Sequence, residues 1–199
     1  MSIVKNRKDK DLKNIEDNAL IELVRKKNQL AYKEIVVRYQ KKLLTYLYRL
    51  VGNKEEAEDI LQNVFVKAYK NSNHFDVKRK FSSWIYRIAH NEAINFLKRR
   101  NKRKLISLED IETTKDKMNT VSLDKSPIDA WIGKEFKKEM HEAMDELPAK
   151  YKEVLTLRYF LNKSYEEMSE ILGKPANTVG TLINRAKKNL LEIIKKKWV

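Results

Sequence analysis

The sequence predicts an all-α protein: two small helical domains joined by a flexible acidic linker. Three observations predict it. Only four Gly and three Pro occur in 199 residues, too few turn formers for a chain of many short strands. Apolar side chains recur at three- and four-residue spacing, the period of a helix that buries one stripe. Charged residues make up 36% of the chain against 42% hydrophobic. That balance suits two small cores with a large exposed area better than one thick globule.

Each element follows in order. Residues 1–17 are basic and polar and are expected as a flexible arm. The first domain is expected over 18–104. Within it, 20–27 carries Leu20, Leu23 and Val24, and 31–51 carries Ile35, Val36, Tyr39, Leu43, Leu47 and Leu50 at helical spacing. Gly52-Asn53 is a stop signal. A third helix over 55–70 has Ala57, Ile60, Leu61, Val64, Phe65 and Ala68 as its buried stripe. A polar stretch, 71–80, leads to a long helix from about 81 to 103. Its apolar stripe is regular up to Ala89 and is then interrupted by Glu92. Residues 105–130 hold six acids, three Lys and Pro127 with weak periodicity, and read as the linker. The second domain is expected over 131–199. Pro148 breaks it, because proline disfavours helix in the residue before it, and helices are expected over 151–160, 164–172 and 177–196.

The net charge is +15, which favours a polyanionic partner. The charge is patchy: 81–104 holds seven Lys or Arg and one acid, and the linker is acidic. There is no Cys, hence no disulfide frame or thiolate metal site, in keeping with a reducing cytoplasm. No apolar run approaches the ~20 residues of a membrane span, and the N-terminus lacks an apolar signal core. His74, His90 and His141 are far apart in sequence, and the acids at 55–59 suit the first turn of a helix. No catalytic centre, metal, cofactor or small-molecule substrate is therefore expected.

The sharpest motif lies at 164–188. Ser164 with Glu167 three residues on is a capping box. Tyr165, Met168, Ile171 and Leu172 form a buried stripe, and Gly173 can take the left-handed turn that ends the helix. Pro175 precedes a second helix that Asn177 or Thr178 can cap. Val179, Ile183, Ala186 and Leu190 share one face of it. Asn177, Thr178, Thr181, Asn184, Arg185 and Lys188 are left to contact base edges and phosphates. This is a helix-turn-helix.

Two further faces carry chemistry. On 55–70, the side away from the stripe holds Asp59, Gln62, Val66 and Lys70. A Val centred on a polar face is either an ordinary exposed apolar residue or part of a protein docking face; the residues alone leave both open. On 81–103, aromatics, amides and cations are interleaved as in surfaces that bind unpaired nucleic acid. Trp84, Ile85 and Ile88 read as core, and His90, Asn91, Asn95, Lys98, Arg99 and Arg100 as nucleic-acid contacts.

Three blocks, AEDILQNVFVKAYKN at 57–71, FSSWIYRIAHNEAINFLKRR at 81–100 and LPAKYKEVLTLRYFLNKSYEEMSEILGKPANTVGTLINRAKKNL at 147–190, resemble regions 2 and 4 of the extracytoplasmic-function (ECF) branch of the sigma-70 family. The resemblance implies a sigma factor that binds core RNA polymerase, recognises −10 and −35 promoter elements and promotes transcription initiation, in an envelope or stress response. It implies that Asp59, Gln62, Asn63, Val66 and Lys70 grip the β′ coiled coil, with a second contact between the C-terminal domain and the β flap. Asn73, His74, Phe75, Asp76 and Lys80, on the 71–80 loop, would hold a flipped −10 base, with His90 to Arg100 on the adjoining strand. The second helix of the helix-turn-helix would read the −35 element. The linker would thread toward the polymerase active channel, and an anti-sigma factor would be the regulator. Departures from the family pattern fall at Asn63, where Glu is usual, and at Gly180 and Leu182, where Leu182 replaces a cation. The competing reading is a helix-turn-helix regulator that binds duplex DNA without acting as a polymerase subunit.

Overall fold

A computed structural model describes residues 12–106 and 134–197. The described residues contain helices and turns and no strand. The arm before residue 12 and nearly all of the expected linker lie outside them.

Among the described residues the first domain contains α1 (Asp17–Arg25), α2 (Gln29–Val51), α3 (Lys54–Lys70) and α4 (Phe81–Ile106), with a 3₁₀ turn at Ser72–His74. The corner between α1 and α2 is three residues long. Asn28 N donates to Leu23 O and Lys27 N to Val24 O, with Lys27 at φ +63°. This is a Schellman closure of α1. The same Asn28 caps α2, its side chain accepting from Leu30 N and Ala31 N. Gly52, at φ +80°, ends α2 in the left-handed region that its missing Cβ allows. Asn53 then caps α3 through Glu56 N. Leu20, Ile21, Ile35, Leu43, Tyr46, Leu47, Phe81 and Ile85 are fully enclosed and form the centre of the core. Residues 12–17 are tied down by Arg38, which donates to Leu12 O, Lys13 O, Ile15 O and Asp17 Oδ1.

The second domain comprises α5 (Lys134–Glu146), α6 (Ala149–Leu155), α7 (Tyr165–Leu172) and α8 (Ala176–Lys197). The helix expected over 151–160 is α-helical only to Leu155. It widens into a π turn over Thr156–Phe160, closed by Leu161 N donating to Thr156 O at 3.1 Å. Tyr165, expected in the buried stripe, is 41% exposed, with the Arg158 guanidinium 5.3 Å from its ring. The capping box forms as expected, and Gly173 takes φ +62°. The start of α8 differs from expectation. Pro175 O accepts from Val179 N, so the helix begins at Ala176 and neither Asn177 nor Thr178 is its cap.

The two domains pack against each other, α4 against α7 and α2 against α6. The seam is polar. Glu153 of α6 is 5% exposed; its Oε1 accepts from Tyr46 Oη at 2.6 Å and meets His90 Nδ1. Lys163 donates to Ser82 Oγ (3.3 Å) and lies over the Tyr86 ring. The Arg49 guanidinium sits 3.7 Å from the Phe160 ring centre.

Candidate polymerase and nucleic-acid interfaces

On α3 the stripe and the far face separate cleanly. Ala57, Ile60, Val64 and Ala68 are buried, with Leu61 and Phe65 half-buried. Asp59, Gln62, Asn63, Val66 and Lys70 are all exposed, Val66 by 50%. Tyr69 extends the apolar part of this face, 45% exposed and edge-on to Tyr32 with ring centres 5.0 Å apart. Tyr69 was not singled out from the sequence, although it lies three residues beyond Val66. Burial, and secondarily Tyr69, raises the Tyr32 phenol well above its usual range. Its hydroxyl stays protonated and donates to Phe65 O at 2.5 Å.

The 71–80 loop and α4 present a mixed picture. Asn73, His74 and Asp76 are exposed, as are Asn91, Asn95, Lys98 and Arg99. Arg87 is also exposed, one turn before Asn91, and continues the same face. Its spacing was the signal that could have found it. The remaining expected contacts are already engaged. Phe75 is core, 3% exposed and packed between Phe81 and Trp84 at 5.6 and 5.1 Å. Lys80 is engaged only at the surface: its side chain is 72% exposed and its Nζ is 3.7 Å from Glu167. His90 meets Glu153 across the domain seam. Arg100 donates to Val51 O at 3.0 Å and to Glu56 Oε2 at 2.9 Å.

On α8, Val179, Ile183 and Ala186 are buried, and Leu190 is half-buried. All six expected contact residues, Asn177, Thr178, Thr181, Asn184, Arg185 and Lys188, are exposed. Thr181 Oγ1 donates back to Asn177 O at 3.0 Å, a bond within the helix that fixes its rotamer. Leu182 is half-buried against the core, so an apolar residue there packs rather than faces solvent. Electrostatics support the motif from behind. Burial opposes ionisation of Glu167, but the Ser164 main-chain N–H and the ammonium groups of Lys163 and Lys80 outweigh it and hold its carboxyl below the usual range. Among the described residues no group of three or more metal-binding side chains occurs, and no helix is long and apolar enough to cross a membrane.

Comparison with known proteins fits this geometry. Residues 35–103 match the family description "Sigma-70 region 2" and residues 137–190 match "Sigma-70, region 4". The chain is 37% identical over 172 residues to the ECF RNA polymerase sigma factor SigW of Bacillus subtilis, covering 85% of this chain and 92% of that one. It is 31% identical over 173 residues to the ECF RNA polymerase sigma-E factor of Escherichia coli K12, covering 86% and 90%. Two solved structures share the fold at 20% identity and a TM-score of 0.64. One is CnrH in complex with the cytosolic domain of CnrY, covering 90% of this chain and 97% of that one. The other is the sigma factor RpoE in complex with the anti-sigma factor NepR from Bartonella quintana, covering 82% and 96%. Two matched regions in the family's order, and relatives aligned over nearly their whole length, assign the chain: it belongs to the ECF branch of the sigma-70 family and is an RNA polymerase sigma factor.

Proposed function

We propose that this sigma factor grips core polymerase through the exposed α3 face, opens and holds the −10 strand with the 71–80 loop and α4, and reads the −35 element with α8. The observation that carries the reading is the contrast on α8: three buried apolar residues and six exposed polar ones on a single helix. That division gives a recognition helix a rigid seat and a free reading face. On α3, Asp59, Gln62, Asn63, Val66 and Lys70 combine charge, amide and apolar area without intramolecular cover, as a protein contact requires. The β flap is the expected second polymerase contact, for the C-terminal domain.

An anti-sigma factor is the expected regulator. One protein of the same fold was solved in complex with an anti-sigma factor. A cytoplasmic location and a stress-response role follow from the same reading.

Reconstitution with bacterial core polymerase tests it. The chain is expected to direct promoter-specific transcripts. Asp59→Arg is expected to abolish core binding without loss of helicity, and Arg185→Ala to weaken −35 duplex binding by about 1–3 kcal/mol if it reads a base edge. Tight duplex binding by the chain alone, with no core binding, would establish the regulator reading instead.

A further inference from the structure

We propose that α1 is a brace for the −10 loop, and that Asn18 and Arg25 are the positioning residues through which it acts. The inference rests on the reading of 71–80 as the loop that holds the flipped base.

The two residues are seven apart, two helical turns, so they project from one side of α1. Each reaches loop main chain rather than loop side chains. Asn18 Nδ2 donates to Val77 O and to Arg79 O, both at 2.8 Å, and Asn18 Oδ1 accepts from Phe81 N at 3.1 Å. The amide thus uses both its donors and its acceptor, and only one orientation satisfies all three bonds. Phe81 N is the first orphan donor of α4, so Asn18 also anchors the start of that helix from another element. Arg25 Nε donates to Ser72 O at 3.0 Å and its Nη2 to Phe75 O. These are charge-assisted bonds, stronger than neutral ones.

Together the pair fixes the carbonyls of residues 72, 75, 77 and 79, spread over the loop's length. The loop's own bonds are short-range: His74 N to Asn71 O, Phe75 N to Ser72 O, Arg79 N to Asp76 O and Lys78 N to Asp76 Oδ1. Those bonds shape two local turns but do not set where the turns sit on the domain. Phe75 in the core and α1 do. The brace is itself firmly seated. Leu20, Ile21 and Val24 are buried, and Asp17 is held by Arg38 and Tyr39 of α2. Asn73, His74 and Asp76 are left exposed on a backbone that is already positioned. Where α1 meets the end of the loop, a polar groove is lined by Asp17, Asn18, Arg38, Lys78, Arg79 and Lys80. A preformed loop captures a flipped base without first losing its own conformational freedom. Base selectivity therefore depends on Asn18 and Arg25, which need touch no DNA.

The test uses the full chain bound to core polymerase and single-stranded DNA randomised over six −10 positions. The wild-type holoenzyme is expected to enrich one sequence. Asn18→Ala is expected to flatten that enrichment about tenfold, with core binding and −35 duplex binding unchanged. Arg25→Met should act similarly, and Arg25→Lys should restore part of the selectivity. Loss of general stability would instead lower binding to all sequences alike. In the free chain, hydrogen exchange of Asn18→Ala should quicken over 72–81 and not over α3, a measurement that stands even if a variant assembles poorly with polymerase. Normal exchange over 72–81, or selectivity retained in both Asn18→Ala and Arg25→Met, overturns the brace. If wild-type holoenzyme enriches nothing, or if Asn73→Ala with His74→Ala leaves the enrichment intact, the loop assignment itself has failed.

Discussion

The two surfaces proposed to face DNA are held in different states. On α8 all six residues proposed to read DNA are exposed. On the first domain Phe75 is core, Lys80 pairs with Glu167, and His90 pairs with Glu153 across the seam between domains. The difference teaches that a surface at a domain seam is open to two uses, packing and binding. His90 cannot hold Glu153 and a DNA strand with the same ring nitrogen. In this arrangement the face of α8 proposed to read the −35 element is uncovered, while Phe75 and His90 of the proposed −10 surface are engaged within the protein.

Three outcomes break or sharpen that comparison. The largest concerns the first domain's interior. Tyr39, Tyr46 and Tyr86 all have phenols raised above their usual range, chiefly by burial; Glu153 adds to the effect at Tyr46, and Asp17 at Tyr39. Folded, they keep their protons; unfolded, they ionise near pH 10. Their contribution is therefore complete below pH 10 and is lost as the pH rises above it. By pH 11 the loss is on the order of 1 kcal/mol each, a few kcal/mol together. Thermal melts from pH 8 to 11 should fall steeply, with these phenolates appearing at 295 nm only on unfolding. A flat melting temperature would contradict the burial.

The next concerns the seam. Glu153→Ala releases His90 and leaves the Tyr46 hydroxyl to seek another partner. Binding of single-stranded −10 DNA by the free chain should strengthen about tenfold, equal to about 1.4 kcal/mol. Affinity for −35 duplex should not move. Equal changes on both surfaces, or none on either, would break the comparison. The smallest is Gly180→Ala on α8. A Cβ there meets nothing within 4 Å, so the helix should gain about 0.5–1 kcal/mol. A calorimetric rise with unchanged duplex affinity would show that the reading face owes nothing to flexibility at that glycine.

Much of this was legible in the sequence because its rules are local. The Ser164–Glu167 box, the glycine turns at 52 and 173 and the division of α8 into two faces each follow from a few neighbouring residues. What escaped was tertiary. The apolar stripe of α4 breaks at Glu92 because that carboxylate is half-buried at the α3 seam, 2.5 Å from Lys67. His90 beside it faces the other domain, so α4 is covered on more than one side and no single stripe describes it. Nothing local marks Glu153 or Lys163 as enclosed, since sequence does not distinguish a solvated charge from a paired, buried one. Phe75 sits in a polar run, and only the fold shows that this aromatic anchors the loop rather than offering itself to a base. Nothing near Asn18 and Arg25 in the sequence singles them out, because their partners are main-chain carbonyls some fifty or sixty positions away.

Asn28 has a bearing on how this architecture tolerates change. Its main chain closes α1 and its side chain opens α2. Residues 26–28 therefore contain no spare position. An inserted or deleted residue would break either the closure or the cap and would turn α1 by about 100° about its axis. The side of α1 that carries Asn18 and Arg25 would then face elsewhere. Length is thus constrained at this corner more tightly than composition, and the loop near position 75, proposed to read the promoter, inherits that constraint from a turn nearly fifty residues before it.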